Sequence, residues 1–165
     1  MNRLRQPALL AALLGGLLGL PGHADTEDDA DIAWTYYTVT GSSLSEVQDD
    51  MGANGPKGFW AYTTWNVNWT SDCQTSVMAS ITLPELADDA DLDDEEIAEF
   101  ERMLEALTAH ELQHVDFGIE FADEVSTDNC PINSDELLQP YLAAERAFDA
   151  DTEHGRTQGV YLNLN

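Results

Sequence analysis

A short stretch of the chain combines two histidines and a glutamate at a spacing that suits metal-assisted hydrolysis. Residues 110–114 read H-E-L-Q-H, which is the H-E-x-x-H pattern. In a helix, residues four apart lie on one face with their Cβ atoms about 5–6 Å apart, so His110 and His114 can both reach one zinc ion. Glu111 would then lie next to the metal as general base toward a zinc-activated water. The pattern predicts a metal-dependent hydrolase.

A catalytic zinc usually takes three protein ligands and keeps one position for water, so the motif needs a third ligand. The chain has four histidines. His23 falls in the N-terminal leader, which leaves His154 as the remaining imidazole. Glu145 and Glu120 are the alternatives, and we expect His154 to rank ahead of both, with Glu120 last because the extended motif H-E-x-x-H-x-x-G-x-x-H lacks its glycine here. Asp149, one turn beyond Glu145, is expected to orient a ligand.

Two helices must carry these residues. Apolar side chains recur at helical spacing over residues 95–125, with the H-E-x-x-H segment on the same face. A break near Thr108 would keep the helical pieces at an ordinary length, and the acidic run 88–96 suits a helix start. A second helix is predicted from 135 to about 149, with Pro140 tolerated only if it falls in the first turn.

Three segments show the composition or alternation of strands. They are residues 33–40, 59–69 and 74–83, the last of them ended by Pro84. Residues 41–51 suit a short helix, and the breakers in 52–56 indicate a loop. We therefore expect an α+β fold, in which a small, mostly antiparallel sheet packs on a long active-site helix and a second, C-terminal helix.

The N-terminus has the features of a secretory signal peptide. A short basic region is followed by an apolar run over residues 7–20 and by small residues before a cleavage site after Ala24. The segment is too short for a membrane anchor. We expect residues 1–24 to be removed, 25–32 to form an acidic linker and 33–165 to form a single domain. The protein would thus be exported to the periplasm or the medium.

The chain has two cysteines, Cys73 and Cys130, and both fall in the exported part. An even count in an oxidising compartment predicts a disulfide between them, which would stabilise the fold by about 4 kcal/mol on the chain-entropy account. Two zinc-ligating thiolates are the weaker alternative, because the cysteines lack paired C-x-x-C spacing.

The charge balance excludes several classes of partner. The chain has 32 acidic against 6 basic residues, for a formal net charge of −26. Nucleic acids and anionic membrane surfaces both require lysine and arginine, so neither is an expected partner. The apolar content of 43% is ordinary and argues against global disorder. A lysine-poor acidic surface favours adaptation to high salt, with solubility as the simpler alternative.

Further motifs connect the chain to a known family. They are Tyr37-Thr-Val-Thr-Gly41, Gly55-Pro56, Thr64-Trp65-Asn-Val67-Asn-Trp69, Cys73, Leu83-Pro84, His110-Glu111-x-x-His114-x-Asp116 and Phe148-Asp149-x-x-Thr152-x-His154-Gly155. On these residues, which span nearly all of the exported part, the chain resembles the bacterial predicted secreted zinc-dependent proteases. The resemblance implies a zincin-like fold with the edge strand of the sheet beside the active-site helix. The T-x-H-G element implies His154 as the third zinc ligand.

We therefore expect an exported zinc metallopeptidase that hydrolyses bonds in a peptide or protein substrate. Zinc would be held by His110, His114 and His154, with Glu111 as general base. An extended substrate would pair with an exposed strand edge.

Two alternatives stay open. A non-proteolytic zinc hydrolase, such as a cell-wall amidase, would use the same residues. A catalytically inert zinc-binding module would keep the metal without turnover, although a structural zinc site has no need of Glu111. Tyr141 and Tyr161 are candidates for stabilising an oxyanion.

Overall fold

The computed structural model of the chain describes residues 29–127 and 134–164. The elements in chain order are β1 (Ala30–Val39), α1 (Leu44–Asn54), β2 (Tyr62–Trp69), β3 (Thr75–Leu86), α2 (Asp94–Thr127) and α3 (Ser134–Thr152). Short 3-10 turns lie at Pro56–Gly58 and Arg156–Gln158. The predicted α+β class is confirmed, with a three-stranded sheet, a long helix and a C-terminal helix.

The sheet has the strand order β1-β3-β2. β2 and β3 are antiparallel and pair from Tyr62 opposite Thr82 to Trp69 opposite Thr75. β1 runs parallel to β3, with Ala30 opposite Val77, a pairing that no local sequence pattern reveals. β2 is consequently an edge strand, and its free backbone groups lie on the side away from β3.

Two strand boundaries differ from the predicted ones. β1 begins at Ala30, so residues 30–32 were wrongly assigned to the linker: Ala30 and Ile32 pack against the core and pair with β3. β3 continues through Pro84 to Leu86 instead of ending there. β2 pairs with β3 only as far as Thr82, and a proline is tolerated where a strand has a neighbour on one side.

The long helix α2 has 34 residues and no break at Thr108. It begins within the acidic run, as predicted, and Asp93 Oδ1 accepts the backbone N–H groups of Glu95 and Glu96, both at 2.9 Å. Its buried residues recur along the whole helix, from Phe100 to Val125. The core therefore supports α2 over its full length, which removes the need for a break.

Helix α3 runs past the predicted end and contains Pro140 in its interior, so the expectation that this proline falls in the first turn was wrong. The interior proline leaves one backbone hydrogen bond unmade. Leu137, Leu138 and Tyr141 on either side of it pack against the cluster around Phe121. These contacts hold the helix together across the proline.

The core lies between one face of the sheet and α2. Alternate residues of β3 point into it, and they are Val77, Ala79, Ile81 and Leu83. They meet the buried stripe of α2, which carries the H-E-x-x-H segment in its middle. This arrangement places the segment beside the edge strand β2.

Some predictions concern residues outside the described ranges. The predicted signal peptide and the first half of the predicted linker lie in residues 1–28, outside the described residues. Cys73 is disulfide-bonded, and Cys130, its predicted partner, lies outside the described residues. Among the helices of the described ranges, none has the length and apolar character needed to cross a membrane.

Candidate metal centre

Helix α2 carries two polar side chains into the core. His110 and Glu111 are 3% and 5% exposed, and they are the buried polar residues of the described ranges. His114 follows one turn later and is partly exposed, with its ring centroid 5.1 Å from that of His110. Buried polar groups need partners, so the surroundings of these three side chains define the site.

Helix α3 supplies a carboxylate that faces both histidines. Asp149 Oδ1 lies 3.3 Å from His110 Nε2 and 3.1 Å from His114 Nε2. The three candidate ligand atoms all lie within 4.8 Å of one another. Ligands bound tetrahedrally to zinc at 2.0–2.2 Å are about 3.3–3.6 Å apart, so this group is close to the spacing that a zinc ion requires.

The hydrogen bonds around His110 indicate which ring nitrogen carries the proton. The other nitrogen, without a proton, faces Asp149. His110 Nδ1 lies 2.8 Å from Gln158 Oε1, and the amide of Gln158 is oriented because its Nε2 donates to Gln113 Oε1 at 3.2 Å. The imidazole therefore donates from Nδ1, and its Nε2 presents a lone pair to the Asp149 carboxylate. Two acceptors that face each other in this way need a proton or a metal ion between them, and a bound metal would meet that need.

The Nδ1 atom of His114 also faces an oxygen acceptor, but at a longer distance than in His110. His114 Nδ1 lies 3.6 Å from Glu145 Oε1, and the same oxygen accepts a hydrogen bond from Trp65 Nε1 at 2.8 Å. Trp65 packs closely against α2 at Gly118. A Cβ atom at that position would lie only 2.9 Å from the indole ring, so the close contact requires glycine. Trp65 and Glu145 thus orient His114 with its Nε2 toward Asp149.

Glu111 is fixed by the edge strand. Thr63 Oγ1 donates to Glu111 Oε2 at 2.7 Å, so one oxygen of the buried carboxylate is held by β2. Burial raises the pKa of Glu111, although the hydrogen bond from Thr63 opposes the shift. The raised pKa makes the Glu111 carboxylate a stronger base than an exposed glutamate, which suits a role in proton transfer.

The pKa values of the two histidines are shifted in opposite directions. Burial lowers the pKa of His110, and the hydrogen bond to Gln158 only partly offsets this effect. Burial also acts to lower the pKa of His114, but the carboxylates of Glu145 and Asp149 outweigh it, so the pKa of His114 is raised. His110 is therefore the more readily deprotonated of the two imidazoles.

His154 lies at the rim of the site. Its side chain is 59% exposed, and its Nδ1 is 3.7 Å from Asp149 Oδ1, outside the group formed by the other two histidines and Asp149. Left-handed backbone at Glu153 and His154 turns the chain at the end of α3. Gly155 can then approach α2 so closely that a Cβ atom there would lie 3.1 Å from the His110 ring.

The other predicted candidates differ in their distance from the site. Glu145 lies beside His114 as described, whereas Glu120 is exposed on α2. The Tyr141 hydroxyl bonds to Glu124, and Tyr141 is not among the residues that line the cleft described below. Tyr161 does line that cleft, with 44% of its surface exposed.

Sequence reasoning missed three residues that support the site. Thr63, Trp65 and Gln158 contact Glu111, Glu145 and His110 respectively. The alternation in residues 59–69 puts Thr63 and Trp65 on one face of the strand, opposite Asn66 and Asn68, but does not show what they contact. No signal in the sequence indicated Gln158, because its contact depends on how the chain after α3 returns to α2.

An ion pair fastens this returning segment to α2. Glu99 accepts hydrogen bonds from Arg102 and from the backbone N–H of Asn163, and Arg102 donates to the carbonyls of Gly159 and Tyr161. Gln158 lies in the same segment. Arg102 and Glu99 therefore help to hold the residue that fixes the tautomer of His110.

We expect the stability contributed by Glu99 to depend on pH. The guanidinium of Arg102 lowers the pKa of Glu99 to about 2, whereas an unfolded glutamate has a pKa of about 4.3. The stabilisation is therefore complete above the unfolded pKa and is lost as the pH falls toward 2. Glu99→Gln should lower the melting temperature at pH 7, and the difference from wild type should shrink between pH 5 and 2.

Melting curves recorded across this pH range check the prediction. Glu101→Gln, an exposed neighbour on α2, is the matched control and should change little at any pH. A deficit in Glu99→Gln that stayed constant from pH 7 to 2 would contradict the assigned role of the carboxylate.

A cleft of about 570 Å³ opens over the candidate metal centre. Its walls come from the segment before β2, from α2, from α3 and from the C-terminal segment, and they include Phe59, Trp60, Thr63, Arg146, Arg156 and Tyr161. The first wall is anchored because Tyr37 Oη donates to the carbonyl of Trp60 at 2.7 Å. A second groove of about 390 Å³ continues along β2 and shares Tyr62, Thr63 and Glu145 with the cleft.

Comparison with known proteins gives a family without a function. Residues 34–155 match the model of a family described as bacterial protein of unknown function, DUF922. The matched range runs from within β1 to just beyond the end of α3 and includes all of the candidate ligands. No curated protein and no solved structure matches the chain.

Proposed function

The chain belongs to the bacterial DUF922 family, whose function is unknown, and we propose that it is an exported zinc-dependent peptidase. The observation that carries the proposal is the convergence of His110 Nε2, His114 Nε2 and Asp149 Oδ1 at the floor of an open cleft. Glu111 follows His110 directly in the chain and lines the same cleft. Export rests on the signal-peptide pattern in residues 1–24.

His110, His114 and Asp149 would hold the zinc ion. Zinc held there would activate a water for attack and polarise a carbonyl group. His154 was the ligand expected from the sequence, and its position near Asp149 makes it the alternative third ligand. Gln158 and Glu145 keep the two imidazoles turned toward the site, as the outer partners of metal ligands commonly do.

Glu111 would act as general base and then as general acid. Its carboxylate takes a proton from the attacking water and later donates it to the leaving amine. Thr63 holds one carboxylate oxygen at 2.7 Å, which leaves the other free to meet the water. The edge strand β2 runs past this carboxylate, so an extended peptide that pairs with β2 would bring its carbonyl group to the site.

A non-proteolytic hydrolase is the second candidate. The two grooves that meet at Thr63 favour a substrate longer than a single amide, which supports the peptidase. An inert zinc-binding module is disfavoured by the buried Glu111 beside the site, since a structural site usually has four protein ligands and no adjacent base.

Metal content and peptide hydrolysis of the mature protein test the proposal together. We expect about one zinc per chain, and we expect hydrolysis of a quenched fluorescent peptide library that a chelator abolishes and added zinc restores. Cell-wall peptides in a parallel assay separate the amidase alternative. Zinc binding without turnover of either substrate class would support the inert zinc-binding module. Absence of zinc after reloading would overturn the proposal.

A further inference from the structure

The few basic residues of this acidic protein are unevenly distributed. The sequence contains 6 lysines and arginines against 32 acidic residues, and the described ranges contain four of the basic ones. Three of these four lie at or beside the cleft, and the fourth fastens the C-terminal segment. The four are Lys57, Arg102, Arg146 and Arg156.

Arg146 is the cation of the cleft lining that has no acidic partner among the described residues. It lines the cleft, its side chain is exposed, and it makes no ion pair or hydrogen bond with the residues that the structure describes. Its helical neighbours do not neutralise it. Glu145 accepts a hydrogen bond from Trp65 and faces His114, and Asp149 faces both histidines of the site. Arg146 therefore remains available to a carboxylate from outside.

Lys57 and Arg156 also lie at or beside the opening, whose lining includes the carboxylates Glu111, Glu145, Asp149 and Glu153 as well. Lys57 Nζ donates to Tyr62 Oη at 2.7 Å and lies 3.9 Å from the centre of its ring, and Tyr62 lines both grooves. Arg156 lines the cleft and pairs with Glu153 at 2.5 Å, in an exposed pair of the kind that exchanges readily with solvent. Positive groups thus lie both beside β2 and on the opposite wall.

We propose that the cleft takes acidic peptides and that Arg146 pairs with a carboxylate of the substrate. The carboxylate is either an acidic side chain or the C-terminus of the peptide, since both present the same two oxygens to a guanidinium. The rest of the surface repels such peptides, so a local cation is what allows one to dock beside the metal centre. This inference rests on the proposed function for the identity of the substrate as a peptide.

Binding of labelled peptides to the zinc-loaded Glu111→Gln variant tests the inference without requiring turnover. Fluorescein-labelled heptapeptides are compared by anisotropy at about 0.15 M salt, where the Debye length is about 8 Å. One pair differs only in Glu against Gln, and a second pair differs only in a free or an amidated C-terminus. We expect about three- to fivefold tighter binding of the more acidic member of one pair.

Substitutions at Arg146 identify the group responsible. Arg146→Gln should remove the preference for the acidic peptide and leave the binding of the neutral peptide unchanged, whereas Arg146→Lys should keep most of the preference. Ser71→Asp, in the exposed turn between β2 and β3, changes the net charge by the same amount as Arg146→Gln and is the matched control. It should leave the preference intact.

The outcomes separate the two proposals. Equal binding of acidic and neutral peptides, no binding of either, or an Arg146→Gln variant that keeps the preference would overturn the inference about acidic substrates. Hydrolysis of neutral peptides by the wild type would still support the peptidase in that case. Binding that depends on Arg146 in a protein that cleaves no peptide would instead support the inference and overturn the peptidase.

Discussion

Replacing Glu111 by glutamine should lower the rate of peptide hydrolysis by about 10²- to 10⁴-fold while zinc stays bound. General acid–base catalysis contributes an effect of this size, and glutamine has no carboxylate to take the proton. The substitution keeps the size of the side chain and leaves an oxygen that can accept the Thr63 hydrogen bond, seen at 2.7 Å in the wild type. The fold and the metal ligands should therefore be preserved.

Steady-state kinetics with metal analysis of the same preparation check this prediction. Glu120→Gln is the matched control, because it makes the same chemical change at an exposed position of the same helix α2. It should keep both zinc and activity. Full activity in Glu111→Gln would contradict the role of general base. Loss of zinc together with activity would mean that Glu111 supports metal binding instead.

Replacing Asp149 by asparagine should weaken zinc binding by at least about 100-fold. Changes to residues that only support metal ligands already cost about 10- to 100-fold. Asp149 Oδ1 lies within 3.3 Å of the Nε2 atoms of both His110 and His114. Loss of the Asp149 charge would leave two neutral imidazoles as the remaining ligands of the zinc ion. Competition with a chromophoric chelator measures the affinity, and the melting temperature of the zinc-loaded protein should fall because bound zinc stabilises the folded state.

His154→Ala is the decisive comparison for the ligand set. The exposed position of His154 at the rim predicts a smaller loss of affinity than in Asp149→Asn. Glu145→Gln should give an intermediate effect of about tenfold, since Glu145 contacts the Nδ1 side of His114. A larger loss in His154→Ala than in Asp149→Asn would restore His154 as the third ligand, in agreement with the expectation from sequence.

Local rules predicted helices and strands well but failed where packing opposed them. Pro84 was predicted to end β3, and Pro140 was expected in the first turn of α3, yet β3 continues past Pro84 and Pro140 lies in the interior of α3. In each case a single missing N–H group is outweighed by the packing of neighbouring side chains in the core. The break near Thr108 that helix length alone would favour is absent for the same reason, because buried residues recur along all of α2.

Pairings between distant segments were beyond the reach of sequence patterns. Alternation identified the strands, but the parallel alignment of β1 with β3 depends on how the intervening α1 and β2 pack. The contact of Thr63 with Glu111 likewise joins residues 48 positions apart. Nothing in the sequence of β2 alone indicates which helical carboxylate it will meet.

The sequence by itself determined the pair of imidazoles and the glutamate, because spacing within one helix decides which side chains share a face. Only the tertiary structure decided which further groups join them. The register of α3 against α2 brings Asp149 rather than His154 into the group with both histidines, and the return of the C-terminal segment brings Gln158 to His110. Such registers follow from the packing of many side chains at once, which no spacing along the chain encodes.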